Sequence, residues 1–140
     1  MGRTTYTISR ADFVADQNSV DRSYGYQIDW TNVGAGYLDA STGKHVLPAG
    51  TVVGSLLGAG KVSPRVLTTN PAIGILATTA IEGDRAAGYG AYQVYLGGVV
   101  YENLLPDSTG APKVLPAAFK TEMASAGCTF KFQQYADNRT

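Results

Sequence analysis

Few residues in this chain are able to do chemistry, and their spacing argues against it. His45 is the only histidine and Cys128 the only cysteine. A hydrolytic triad would need His45 as its base, yet no Gly-x-Ser-x-Gly elbow accompanies it. Zinc needs several nitrogen or sulfur ligands, more than one histidine and one cysteine supply. His45, between Lys44 and a strand, reads as a surface or hydrogen-bonding residue. Cys128 reads as a small apolar side chain on the inner face of a strand, not as a nucleophile.

The glycine-rich stretches fail as nucleotide loops. Gly60-Lys61 has Ser55 where a phosphate loop needs glycine, and Val62 where it needs Ser or Thr. Gly34-Ala35-Gly36 and Gly88-Tyr89-Gly90 lack the third glycine of the dinucleotide fingerprint, since Asp39 and Gln93 stand there. Glu82 and Asp84 share a loop but offer too few oxygens for a calcium site. Asn138-Arg139-Thr140 matches a glycosylation pattern without a secretion signal to use it. The expectation is a non-enzymatic protein with no cofactor and no metal.

Composition bounds the rest. A length of 140 residues fits one domain, able to bury roughly 70% of the surface its unfolded chain exposes. A lone cysteine allows no intrachain disulfide and suits a reducing interior such as cytoplasm. Eleven basic and eleven acidic side chains cancel, with no long run of either sign. Nucleic-acid binders need a basic stripe to neutralise phosphate, and none is present. Charged residues make up only 16%, against about 25% in typical domains, which leaves little electrostatic protection against association. The opening MGRTTYTISR has no apolar run after Arg3, so no secretory signal is expected. Tyr6 spoils a myristoylation reading of Gly2. No stretch approaches the roughly 20 apolar residues of a membrane span, so a soluble protein without a membrane partner is expected.

Seventeen glycines and nine tyrosines are the mix of short strands joined by tight turns. Residues 1–25 are polar and lack sustained alternation. They read as an extended arm, with a short helix from Ala11 to Val14 capped by Ser9. A strand is expected over Tyr26–Thr31, with Tyr26, Ile28 and Trp30 on one face, and a short one near Tyr37 and Leu38. Leu47-Pro48-Ala49-Gly50 reads as a type I turn with proline second and glycine fourth. Strands follow over Thr51–Leu57, Lys61–Leu67 (an edge strand, because of Pro64) and Ile73–Ala77.

The longest strand candidate, Tyr89–Tyr101, is apolar on both faces. Tyr92, Val94, Leu96 and Val100 point one way, and Gln93, Tyr95, Val99 and Tyr101 the other. Such a strand is central in a barrel or covered by another subunit. Pro116 opens a helix striped by Leu115, Phe119, Met123 and Ala126, and Gly127 caps it. Cys128, Phe130 and Phe132 alternate with Thr129, Lys131 and Gln133 in a closing strand. The fold expected is mainly β, a small barrel or sandwich with one helix in the C-terminal region, over residues 26–140.

One segment has a wider likeness. Leu47-Pro48-Ala49-Gly50-Thr51-Val52-Val53-Gly54 resembles the "L-P-A-G-T-V-hydrophobic-G" stretch of tailed-phage head decoration proteins, the lambda-like capsid-cementing family. Ala72-Ile73-Gly74-Ile75-Leu76 resembles that family's "A-x-G-I-L" strand. Tyr92–Tyr101 resembles its strand ending in "G-x-V" with a following Glu or Asn, here Glu102 and Asn103. Leu115-Pro116, the helix, Ala126-Gly127 and Cys128–Phe132 resemble its ending. The likeness covers residues 37–140; the aromatic stretch Tyr24–Tyr37 and Cys128 depart from it.

The resemblance implies a β-tulip-like fold and a homotrimer. It places the protein on the outer surface of the expanded capsid of the virion, after synthesis in the host bacterial cytoplasm. The partners implied are the major capsid protein lattice and two further copies, without nucleic acid. The arm, with anchors at Tyr6, Ile8, Phe13, Val14 and Tyr24, would bind the capsid by adding a strand to one of its sheets. Tyr92, Tyr95 and Tyr101 are candidate trimer contacts. A second reading, from another class, is a carbohydrate-binding β-module of a phage tail or cell surface. There Tyr24, Tyr26, Trp30 and Tyr37 would form a stacking platform.

Overall fold

The structure, a computed structural model, describes residues 13–15, 21–55, 61–65, 71–83, 92–106 and 114–135. Its strands are β1 (Asp21–Ile28), β2 (Leu38–Asp39), β3 (Lys44–Leu47), β4 (Val52–Gly54), β5 (Lys61–Pro64), β6 (Ala72–Leu76), β7 (Ala80–Ile81), β8 (Tyr92–Tyr101) and β9 (Thr129–Gln133). One helix, α1, spans Ala117–Ser125, and short 3-10 turns occupy Trp30–Asn32, Ala35–Tyr37 and Glu102–Leu104. The larger sheet is mixed and runs β1-β5-β4-β6-β8-β9. β1 also pairs with β8, so the pairings among β1, β5, β4, β6 and β8 form a ring. The smaller sheet is β2-β3-β7. The protein is therefore a small, mainly β fold with one helix near its C-terminal end.

Strand alternation explains why the central strands are apolar on both sides. Successive side chains leave a strand on opposite faces. Val52 of β4, Ile75 of β6 and Tyr95 of β8 enter one core cluster, shared with Phe13, Leu105, Leu115 and Met123. Val53, Leu76, Tyr92 and Val94, one step away, enter a second cluster with Ile28, Leu47 and Val62. Every strand of the ring sends a residue into that second cluster. Both faces of β8 are thus covered by this chain itself, with α1 packed on β6 from the first side. Strict alternation would put Val100 with Tyr92. It joins the Tyr95 cluster instead, after Gly97 and Gly98 (φ +124°) shift the phase.

Gly74 makes the β6–β8 approach possible. A methyl group there would lie 2.5 Å from Val94 Cγ1 and 2.6 Å from the Tyr95 carbonyl oxygen, and the backbone atom has nowhere to go. The helix end follows the sequence. Gly127 (φ +94°) donates to Ala124 O, and Cys128 N–H donates to Met123 O at 2.9 Å, the pairing of a Schellman cap.

Several expectations shift. The first strand starts five residues early, and Trp30 lies in a 3-10 turn. Asp29 N–H still donates to Val62 O at 2.8 Å, and just beyond it Thr31 Oγ1 donates to Asp29 Oδ1 at 2.6 Å. A domain boundary at residue 25 would fall inside β1. Val14, expected in a short helix, bridges Val100 in antiparallel fashion. β5 lies between β1 and β4, not at an edge. The β1 ladder stops at Val62, before Pro64 would need an N–H to continue it. The remainder of the arm, residues 56–57 and 66–67 of the expected strands, and Tyr89–Ala91 lie outside the described residues.

Candidate functional site

The family-like turn is a load on the interior, not a surface feature. Its register is one residue later than proline at the second position would give. Thr51 N–H donates to Pro48 O at 3.2 Å, so Gly50 sits third, at φ +93°. A third-position residue with positive φ marks a type II turn and calls for glycine. Gly50 N–H donates to Leu76 O at 2.8 Å, and Leu76 N–H to Thr51 O at 2.9 Å, which fastens the turn to β6. Thr51 Oγ1 returns to Pro48 O at 2.7 Å. Leu47, Gly50, Thr51 and Gly54 are buried; Pro48 and Ala49 are half-buried.

Phe13 and Val14, picked as capsid anchors, are core residues, 4% and 8% exposed. A methyl group on Gly50 would come within 2.9 Å of both the Phe13 ring and Pro106, so the ring fills the space that glycine leaves. Tyr6 and Ile8, and the side chain of Tyr24, lie outside the described residues. Of the tyrosines picked as trimer contacts, Tyr92 and Tyr95 are 5% and 4% exposed within one chain, which leaves neither a face for a partner in this conformation. Tyr101 is half-buried. Tyr26, Trp30 and Tyr37 pack partly buried against the second cluster, so those rings are engaged in the fold.

Among the described residues, three of the five exposed large apolar side chains, Leu104, Val114 and Tyr135, accompany the turn Glu102–Leu104, while Leu38 and Ile81 lie on the smaller sheet. Leu104, Val114 and Tyr135 are 41%, 40% and 42% exposed. Tyr135 meets Tyr101 edge-on, with ring centres 5.2 Å apart. Asn103 fixes Tyr135 at two points: its Nδ2 donates to Tyr135 O at 2.9 Å, and its Oδ1 accepts from Tyr135 N–H at 2.7 Å. These bonds hold the Tyr135 backbone, and the Tyr101 ring rests against its side chain. Glu102 braces the same turn from inside. It accepts from Leu115 N–H and pairs with Lys120 Nζ, both at 2.9 Å. Burial pushes its carboxyl up, but Lys120 and the Leu115 amide outweigh that and hold it below the ordinary carboxylate value. The signal for this site was the Glu-Asn pair after β8; nothing in one sequence revealed what it holds.

Elsewhere the polar groups serve structure. Glu122 takes both Arg65 Nε at 2.9 Å and the Ala72 amide at 2.9 Å, and Arg65 stacks over Phe119 at 4.7 Å. This pins α1 to β5 and β6. His45 Nδ1 lies 2.9 Å from Glu82 Oε1, which also accepts the His45 amide. Burial pushes the Cys128 thiol up to about 11, so it stays protonated at neutral pH and donates to Ile73 O at 3.1 Å. Among the described residues no three His, Cys, Asp or Glu gather into a metal-holding group. No described helix is long and apolar enough to cross a membrane. The cleft between α1 and β9, lined by Lys120, Met123, Cys128 and Phe130, has room of about 40 Å³, suited to a water and far below a ligand pocket. No family model, curated protein or solved structure matches the chain.

Proposed function

We propose that this protein is a non-enzymatic capsid-decoration protein that binds, as a trimer, the outside of an expanded tailed-phage head and stabilises it. One observation carries the reading. The family-like segments, scattered along the sequence, are neighbours in space. β4, β6 and β8 are consecutive in the sheet, β9 flanks β8, and α1 packs on β6. Glu102 and Asn103, part of the same likeness, build the apolar surface at the end of β8. That surface, with the residues before Phe13, is the proposed contact with the lattice.

The mechanism is linkage. A protein that binds the expanded lattice and not the precursor shifts the equilibrium toward expansion by its difference in affinity. Three joined contacts raise effective affinity without any one being strong. Co-sedimentation with expanded and unexpanded heads of the phage that carries it tests this. Retention on expanded heads alone is expected, with sedimentation showing trimers free or bound. Equal binding to both forms, or to neither, overturns the reading.

A further inference from the structure

The exposed apolar side chains at the end of β8 stand beside the partners of one buried carboxylate. Glu102 Oε1 accepts from Leu115 N–H and pairs with Lys120 Nζ, both at 2.9 Å. The side chain of Gln134 donates to the same carboxylate. Leu104 lies in the turn that Glu102 opens, Val114 directly precedes Leu115, and Tyr135 directly follows Gln134. One carboxylate thus ties together three stretches of chain, and each stretch carries one of the exposed apolar residues at this end. The sheet does not depend on it in the same way, because β4, β6 and β8 are joined by ladders in which Glu102 takes no part.

We propose that Glu102 is an acid-sensitive latch: ionised, it gathers Leu104, Val114 and Tyr135 into one surface, and protonated, it lets the three stretches part while the sheet stays folded. An ionised carboxylate only accepts hydrogen bonds and so serves all three donors, with charge assistance from Lys120. Protonated, it carries a donor of its own and loses its attraction to the ammonium. The charged group facing it is Lys120 of α1. Leu115 and Gln134 are neutral at every pH, and among the described residues no other charge acts on the carboxyl. Burial raises this carboxyl, but Lys120, the Leu115 amide and Gln134 together hold it below the ordinary 4.5. The latched form therefore gives up its ionisation later than the opened form does. Its hold is full above about 4.5 and weakens as pH falls from there toward the depressed value. The inference rests on the proposed function only for what the surface binds; the latch itself needs no capsid.

The test follows amide exchange of the full chain from about pH 6 to about pH 3, expressed as protection relative to an open peptide at the same pH. Opening at the Leu115 and Tyr135 amides is expected to rise by up to about tenfold per pH unit below the ordinary carboxyl value. The Leu76 amide, which donates to Thr51 O inside the sheet, should keep its protection over the same range. Glu102→Gln keeps the size, removes the titration and should abolish the acid step at both amides. Lys120→Met should shrink that step, because the carboxyl then titrates nearer its ordinary value. Protection at Leu115 and Tyr135 that stays flat in acid, or is lost together with that of Leu76, overturns the latch. So does a step that survives Glu102→Gln. If that variant does not fold, Lys120→Met decides, and a step of undiminished size overturns the proposal. A working latch on a protein that binds no phage head would sink the lattice reading alone.

Discussion

The two ends of the chain reach the same stretch of β8 by different means. β9 lies parallel to it, with five register pairs from Gly97–Thr129 to Tyr101–Gln133. Phe13–Ala15 lies antiparallel, with a single bridge and two hydrogen bonds. Because Val99 O and Tyr101 N–H face the N-terminal segment, β9 must occupy the opposite edge. The C-terminal end is secured by a ladder spread over many weak bonds. Among the described residues before β1, Phe13–Ala15 is held mainly by one buried ring beside one bridge. Ladders degrade gradually, whereas an anchor of one ring fails at one residue.

Phe13→Ala is therefore expected to have the largest effect, a loss of about 3–5 kcal/mol in urea unfolding, as for a fully buried phenylalanine. Phe132→Ala, on the half-buried ladder, should cost clearly less. Equal losses would erase the contrast between the ends. The same reasoning separates two truncations: removing residues 2–12 should spare the melting temperature, and removing residues 2–20 should lower it at least as far as Phe13→Ala.

Glu102→Gln comes next, since it leaves Lys120 without its carboxylate while keeping an acceptor for Leu115. A cost of about 1–2 kcal/mol is expected for a charged hydrogen bond lost at a partly exposed partner. Its pH dependence has a fixed sign. The folded carboxyl lies below the ordinary 4.5, so its contribution is full above that pH and is lost as pH falls through the depressed value. Acid titration of stability should be shallower in Glu102→Gln than in the unaltered chain. It should not be flat, because Arg65 likewise holds Glu122 low. An unchanged acid limb would remove Glu102 from the account.

Asn103→Ala should have the smallest effect, about 1 kcal/mol, since Tyr135 is exposed and water can replace the amide. Its interest is local. The Tyr101–Tyr135 contact should loosen, read as faster exchange of the Tyr135 amide with little change in global unfolding. A global loss as large as that of Phe13→Ala would make the end of β9 the tighter of the two.

This contrast also sets what a single sequence discloses. β6, β8, α1 and β9 were legible because apolar residues recur at strand or helix spacing, and Gly127 announces its cap. The docking of Phe13 was not, because one ring and one valine have no period, and their partners begin at residue 50. Position 48 misled for a related reason: proline suits the second place of a turn, but tertiary bonds from Gly50 and Leu76 set the register. The Val100 face was lost at Gly97-Gly98, where a phase shift defeats strict alternation. Composition suggested a surface for partners, but residue types alone did not distinguish Tyr92 and Tyr95, sealed inside, from Tyr135, left open.

The pocket that closes over Phe13 has a consequence for time. Phe13 leaves the ribosome well before Pro106, and its walls are complete only when Pro106 has followed. At about 5 to 20 residues per second that interval is roughly 5 to 20 s, far longer than local strand or helix formation takes. Throughout it the ring has no home, and neighbouring chains on one message carry the same ring.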